Sequence, residues 1–115
     1  NLEAPGMSTR PKPPAHLSLA TRKWWRLIVE EYELGSHHLK VLQAACEAWD
    51  RQQEARQRLA EDGAYLPDRF GQLRAHPAVA VERDSRIAFI RAVRELALDE
   101  DGPEMPRPPR IGGRD

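Results

Sequence analysis

The chain has 115 residues, room for one domain, and its 18 Lys plus Arg balance 18 Asp plus Glu, so the total charge shows no strongly basic nucleic-acid binder. No apolar run approaches the roughly 18 residues of a membrane span, and no signal-peptide pattern is present. The single cysteine, Cys46, excludes an internal disulfide and fits a soluble, reducing compartment.

Proline and charge divide the chain. Eight of the ten prolines (Pro5, Pro11, Pro13, Pro14, Pro103, Pro106, Pro108 and Pro109) lie towards the two ends, which read as extended or disordered arms. Residues 1–6, before Met7, read as an expression scar. Residues 7–16 form a Pro-rich basic arm, residues 17–98 the folded body, and residues 99–115 an acidic, Pro-rich tail. Met7 to Arg26 carries Arg10, Lys12, Arg22, Lys23 and Arg26 and no acid, whereas the tail carries Asp99, Glu100, Asp101, Glu104 and Asp115 against three arginines. A neutral total therefore hides a basic start and an acidic end. A body of this size is marginal alone, and self-association would add burial.

In chain order, Ser18 is a good N-cap for a first helix running to about Tyr32, with Trp24, Leu27, Ile28 and Tyr32 on one face and Trp25 beside it. Leu34-Gly35-Ser36 breaks it, with Gly35 suited to a positive-φ helix end and Ser36 to capping the next helix. The second helix is expected from about His37 to Asp62, its stripe running Leu39, Leu42, Ala45, Cys46, Trp49, Gln53, Arg56 and Leu59. Its charged half, Arg51 to Arg58, projects or packs in an oligomer, and Gly63 ends it. Tyr65 to Arg74 reads as a short β-hairpin or ordered loop turning at Phe70-Gly71, with Pro67 at its edge. Pro77 suits the first turn of a third helix ending near Leu98, with a stripe of Val79, Arg83, Ile87, Ile90, Val93, Arg94 and Ala97 that Phe89 and Leu96 widen. The fold expected is mainly α: three helices, the last two a long antiparallel pair joined by the hairpin or loop, with flexible Pro-rich arms.

Each group that could carry chemistry has a plainer reading beside it. Arg10, Lys12, Arg22, Lys23 and Arg26 suit the phosphate backbone of nucleic acid, or are a solvated helix start. Trp24 and Trp25 beside cations suit base stacking, yet Trp24 reads as core and Trp25 as an interface residue. Arg69, Arg74 and His76 precede a helix start that attracts anions, but favour a structural or subunit-contact role, His76 as a cap and Arg69 paired with Asp68 or a helix acid. His37 and His38 do not form a metal site, and no Cys/His spacing does. No nucleophile–base pair, Walker loop or dinucleotide fingerprint occurs, so neither a catalytic residue nor a cofactor is expected. Cys46 reads as a small buried hydrophobe.

Four stretches carry a resemblance: Pro14-Ala15-His16-Leu17-Ser18 with the Trp25 region, Leu39 to Arg51 with Glu47-Ala48-Trp49-Asp50-Arg51, Asp68 to Val81, and Glu82-Arg83-Asp84. Together they resemble the small subunit of phage terminases over most of the body. The most specific pieces are Asp68-Arg69-Phe70-Gly71 and Arg74-Ala75-His76-Pro77-Ala78, and Arg107-Pro108-Pro109-Arg110 looks like the family's tail. The resemblance implies a non-catalytic protein in the cytoplasm of an infected or lysogenic bacterium. It implies recognition of viral double-stranded DNA at the start of packaging, assembly into a ring, and regulation of the large subunit, which carries the ATPase and nuclease. On that reading Arg10, Lys12, Arg22, Lys23 and Arg26 face DNA. Trp25, Trp49, Phe70, Arg69, Arg74 and His76 build subunit contacts, and the tail docks the large subunit. The alternatives are a dimeric DNA-binding regulator reading a palindrome, or a helical protein-interaction adaptor.

Overall fold

A computed structural model describes residues 10–96. The first helix, α1 (Leu19–Glu31), starts at Ser18, whose side chain accepts from the Thr21 N–H at 3.2 Å and so satisfies an amide that a helix start leaves open. The helix ends at Tyr32, whose N–H still reaches the Ile28 carbonyl while its own backbone is already extended. That extended exit makes a left-handed glycine unnecessary. Gly35 accordingly has a φ of −75° and serves as the N-cap of the next helix, a correction to the positive-φ helix end expected of it, and Ser36 is that helix's first residue rather than its cap.

The second helix, α2 (Ser36–Asp62), has 27 residues, about 40 Å of rise. Gly63 ends it with a φ of 85°, which a side chain would resist, and its N–H donates to the Leu59 carbonyl. Strands β1 (Tyr65–Pro67) and β2 (Leu73–Ala75) pair antiparallel in the register Tyr65↔Ala75, Leu66↔Arg74, Pro67↔Leu73. The third helix, α3 (Pro77–Leu96), then returns along α2. This is the expected mainly helical architecture, with the hairpin, not an open loop, between the long helices. The expected last turn of α3 at Ala97–Leu98, residues 1–6 and the acidic tail lie outside the described residues.

The core sits at the end of the molecule where all three helices meet. Leu17, Trp25, Ile28 and Tyr32 pack with Leu42, Cys46 and Leu96, and Trp24, Val29, Leu34, Leu39 and Val41 surround them. The α1 face is turned by about one position from the one expected: Trp25 is the core tryptophan, at 4% exposure, Trp24 is half-buried, and Leu27 is exposed. Burial, and then the Asp50 and Glu47 carboxylates, push the Cys46 thiol up to about 12, so at neutral pH it is an inert core group.

Beyond α1 the molecule is a two-helix stalk with a seam of small residues. Ala45, Ala48, Gln52, Ala55 and Leu59 recur at steps of three and four on α2, as do Ala78, Glu82, Ser85, Phe89, Ala92 and Leu96 on α3. This is the spacing of an antiparallel coiled-coil seam. Ala48, Gln52, Ala55, Ala78 and Ser85 are buried. Inside it, the Gln52 amide donates to Glu82 at 3.0 Å, and Arg86 holds the same carboxylate at 3.1 Å. A single polar pair in a small-residue seam fixes register more than it adds stability. The stripes expected on these helices are therefore corrected. Arg56 is exposed and Trp49 is 40% exposed on α2, and on α3 Arg83, Ile87, Ile90 and Arg94 face outwards.

What orients α1 on this pair is a carboxylate. Asp50 of α2 accepts from the Ser18 N–H at 2.8 Å, the Ser18 hydroxyl at 2.9 Å and the Thr21 hydroxyl at 2.6 Å. Beside it, His16 meets Glu47 at 2.9 Å. Partial burial alone would raise the Asp50 carboxyl, but the bonds from Thr21 and Ser18 together hold it below its ordinary value. A carboxyl lowered by folding stabilises the fold fully above its unfolded value of 3.8, and that contribution is lost as pH falls through the folded value. Asp50→Asn should lower the denaturation midpoint near pH 7 and shrink the stability lost between there and about pH 3. An unchanged acid sensitivity would remove Asp50 as the clamp.

Candidate nucleic-acid interface

The five basic residues of the first segment do not form one patch. The described part of the N-terminal arm is extended and lies back along α1. The Trp25 indole N–H donates to the Pro11 carbonyl at 3.0 Å, and Arg10 pairs with Glu30 at 3.3 Å. This brings Arg10, Lys12 and Arg26 to one groove of about 320 Å³, with Pro11, Pro13, Val29 and Glu30 as its other walls. Lys23 stands on the solvent side of α1, and Arg22 is half-buried, its Nε enclosed without a hydrogen-bond partner among the described residues.

The placement of charge on α1 works against the helix. Arg22 and Lys23 lie near its amino end and Glu30 and Glu31 in its last turn, with no acid in the first turn and no base in the last. Each such charge opposes the macrodipole by a few tenths of a kcal/mol or more. Arg22, Lys23 and Arg26 have no acidic partner among the described residues to offset this.

The hairpin is self-contained. The Asp68 carboxylate accepts from the Phe70 N–H at 2.8 Å, the Gln72 N–H at 3.0 Å and Arg74 Nε at 3.0 Å. The Arg74 bond, ahead of the backbone ones, holds this carboxyl below its usual range. Gly71 closes the turn with a φ of 81°, and open space surrounds it, so backbone conformation and not crowding selects glycine there. Arg69 does not take Asp68; its guanidinium lies over the Phe70 ring, 5.2 Å from the centroid. The hairpin's apolar side chains are left outside: Tyr65 is 65%, Phe70 75% and Leu73 70% exposed.

His76 ties the hairpin to α3. Its Nδ1 accepts from the Ala78 N–H at 2.9 Å, which puts the proton on Nε2, and Nε2 meets Asp62 at the end of α2, also at 2.9 Å. The ring is thus an N-cap for α3 and a strut to α2. Trp25 and His76, both expected at subunit contacts, are turned inwards in the protomer, whereas Trp49, Phe70, Arg69 and Arg74 remain at its surface.

No spacing along the chain signals the aromatic cluster that joins the three helices. Trp24 and Trp49 flank Phe89, with ring centroids 6.0 and 5.0 Å away, and with Ala20 and Thr21 they line an open cleft of about 240 Å³. Among the described residues, no group of His, Cys, Asp and Glu is arranged to hold a metal, and no helix is long and apolar enough to cross a membrane.

The model of the family described as phage terminase, small subunit, matches residues 21–101. The chain belongs to that family. Comparison with curated proteins and with solved structures gives no match. In this terminase small subunit, the stretches that carried the resemblance turn out to be contacts. His16 and Ser18 bond to Glu47 and Asp50, Leu17 joins the core cluster that holds Cys46, and Asp68 to Ala78 builds the hairpin and the cap of α3. Asp50 and Glu47 went unassigned in the sequence because their partners lie about thirty positions away. A capping carboxylate is legible locally only when it sits at the helix start itself.

Replacing His76 by Ala should cost about 1 kcal/mol, the usual worth of a side-chain N-cap. It should also speed hydrogen exchange at the Ala78 amide, while His76→Asn, which retains an acceptor, recovers most of the loss. Equal loss in both variants would mean that the Asp62 strut, and not the cap, carries the effect.

Proposed function

We propose that this terminase small subunit is non-catalytic, assembles into a closed oligomer, binds viral double-stranded DNA as packaging begins, and regulates the ATPase and nuclease of the large subunit. The observation that carries the DNA-binding reading is the set of cations on α1 and the folded-back arm. Arg22 and Lys23 oppose the helix dipole, they and Arg26 lack acidic partners among the described residues, and Lys12 and Arg26 share a groove. Cations held at a cost to the helix suit a polyanion, whose bound counterions they release. The oligomer reading draws on the surface. Ile87 and Ile90 on α3, Trp49 on α2, and Phe70 and Leu73 on the hairpin are exposed, too many large apolar groups to leave in water on so small a body. The hairpin lies at the far end of the stalk from α1. A contact between two such different surfaces is heterologous, and repetition about an axis closes a ring. Trp49, Phe70, Arg69 and Arg74 serve this contact, with Trp25 and His76 supporting it from inside. The tail, Asp99–Asp115, is the segment offered to the large subunit, in the cytoplasm of the bacterial host.

Replacing Arg22, Lys23 and Arg26 together by Glu should weaken retention of double-stranded DNA at low salt. Replacing the same three by Ala should reduce the slope of log affinity against log salt by about two to three. Binding unchanged in both variants would remove α1 from the DNA surface. Light scattering at two concentrations should give one mass that is a high multiple of 13.1 kDa and does not change on dilution. A stable dimer would favour the regulator instead, and a monomer would count against preassembled rings.

A further inference from the structure

The aromatic cleft and the tip of the hairpin complement each other, and one protomer does not bring them together. The cleft is lined by Ala20, Thr21 and Trp24 of α1, Trp49 of α2 and Phe89 of α3, with no charged residue in its wall. Its volume of about 240 Å³ is below the roughly 300–1,000 Å³ of small-molecule sites, and it suits a single ring set edge-on or offset against the indoles. A carboxylate stands behind this wall. The lining Thr21 donates its hydroxyl to Asp50, which also accepts from the N–H and the hydroxyl of Ser18. A carboxylate offers about four acceptor sites, so Asp50 has one left for a further donor. The occupant that wall and carboxylate select together is an aromatic ring with a cation beside it.

Such a pair stands at the hairpin tip. Phe70 is 75% exposed, more than any other large apolar side chain among the described residues. The Arg69 guanidinium lies over its ring, 5.2 Å from the centroid, and has no acidic partner among the described residues. Asp68 fixes the turn by accepting from the Phe70 and Gln72 N–H groups, so the tip is already in shape and has little freedom to lose on docking. Its own cleft does not receive it. About 20 Å of α2, from Trp49 to Asp62, separates the two, and Phe70 stands in solvent. We infer that Arg69-Phe70 of one copy docks in the Trp24–Trp49–Phe89 cleft of the next, with the Phe70 ring among the aromatic side chains and the Arg69 guanidinium towards Asp50. Knob and hole lie on different surfaces, so the contact runs head to tail and repeats from copy to copy. The docking rests on the closed-oligomer reading above, to which it assigns the two contacting surfaces.

The test uses the full chain and two substitutions at exposed positions, each of which should leave the helix content by circular dichroism unchanged. Phe70→Ala removes the knob, and Ala20→Phe fills the hole. Light scattering should show each variant alone losing the high mass of the unaltered chain. An equal mixture of the two should form a heterodimer, because one intact knob still meets one intact hole. With fluorine-labelled tryptophans, Phe70→Ala should shift the Trp24 and Trp49 signals while the buried Trp25 stays, a shift that only a neighbouring copy can transmit. Both variants keeping the high mass, with Trp24 and Trp49 unmoved, would overturn the docking and leave the oligomer standing, with the cleft open to a different partner. Loss of mass in each with no heterodimer on mixing would overturn the pairing of these two surfaces. An unaltered chain that is itself monomeric would defeat the oligomer reading instead, and the docking with it.

Discussion

A helix pair joined through small side chains constrains everything else in this protein. Ala48, Gln52, Ala55, Ala78 and Ser85 let α2 and α3 run close together, but they remove little apolar surface from water. A seam of that kind does not stand alone, so it is braced at both ends. At one end α1 supplies Trp25, Ile28 and Tyr32 and makes the true core with Leu42, Cys46 and Leu96. At the other end the hairpin and His76 tie Asp62 of α2 to the first turn of α3. The Gln52–Glu82 bond between them keeps the two helices from sliding.

The braces explain the odd residue order of the resembling stretches. Pro14 to Ser18 and Glu47 to Asp50 look unrelated in the chain, yet they are two sides of one contact. Leu17 enters the core, His16 meets Glu47, and Ser18 and Thr21 meet Asp50. Asp68, Gly71, Arg74 and His76 are likewise not four separate functional groups. One carboxylate organises a turn, one glycine allows it, one arginine closes it and one imidazole starts the next helix. Residues that read as candidate ligands for an anion are in large part consumed by building the frame that holds α1 and the hairpin in place.

Local signals in the sequence read correctly except at Gly35 and Ser36, where the extended exit at Tyr32 removed the need for a left-handed glycine. Ser18 as a cap, Gly63 as a stop, Pro77 as a first turn and the antiparallel hairpin all follow from the conformations those residue types favour. The faces of the helices did not, because the seam is written in Ala, Gln, Ser and Glu, which carry almost no hydropathy contrast. A stripe drawn through the large apolar residues then lands on the wrong side of α3. On α1 the adjacent tryptophans are equal in hydropathy, and the choice between them is made by the arm: the Pro11 carbonyl takes the Trp25 indole and leaves Trp24 beside Phe89. The Asp50 clamp and the aromatic cleft join residues from distant parts of the chain, so no spacing rule reaches them.

The misplaced stripe carries information of its own. Periodicity records that a face is selected to be apolar, not which molecule covers it. On α3, Arg83, Ile87, Ile90 and Arg94 form a helical face with the pattern of a core, yet they point away from α2. An isolated exposed isoleucine needs no explanation, but two at helical spacing, flanked by arginines whose aliphatic stems extend the apolar surface, have the composition of a buried contact with a charged rim. The seam side of α3 spends its small residues on α2, and the opposite side keeps its large ones for something else. On the ring reading that something is a neighbouring copy, which explains why a body with so small a core of its own is built around a pair of helices far longer than that core requires.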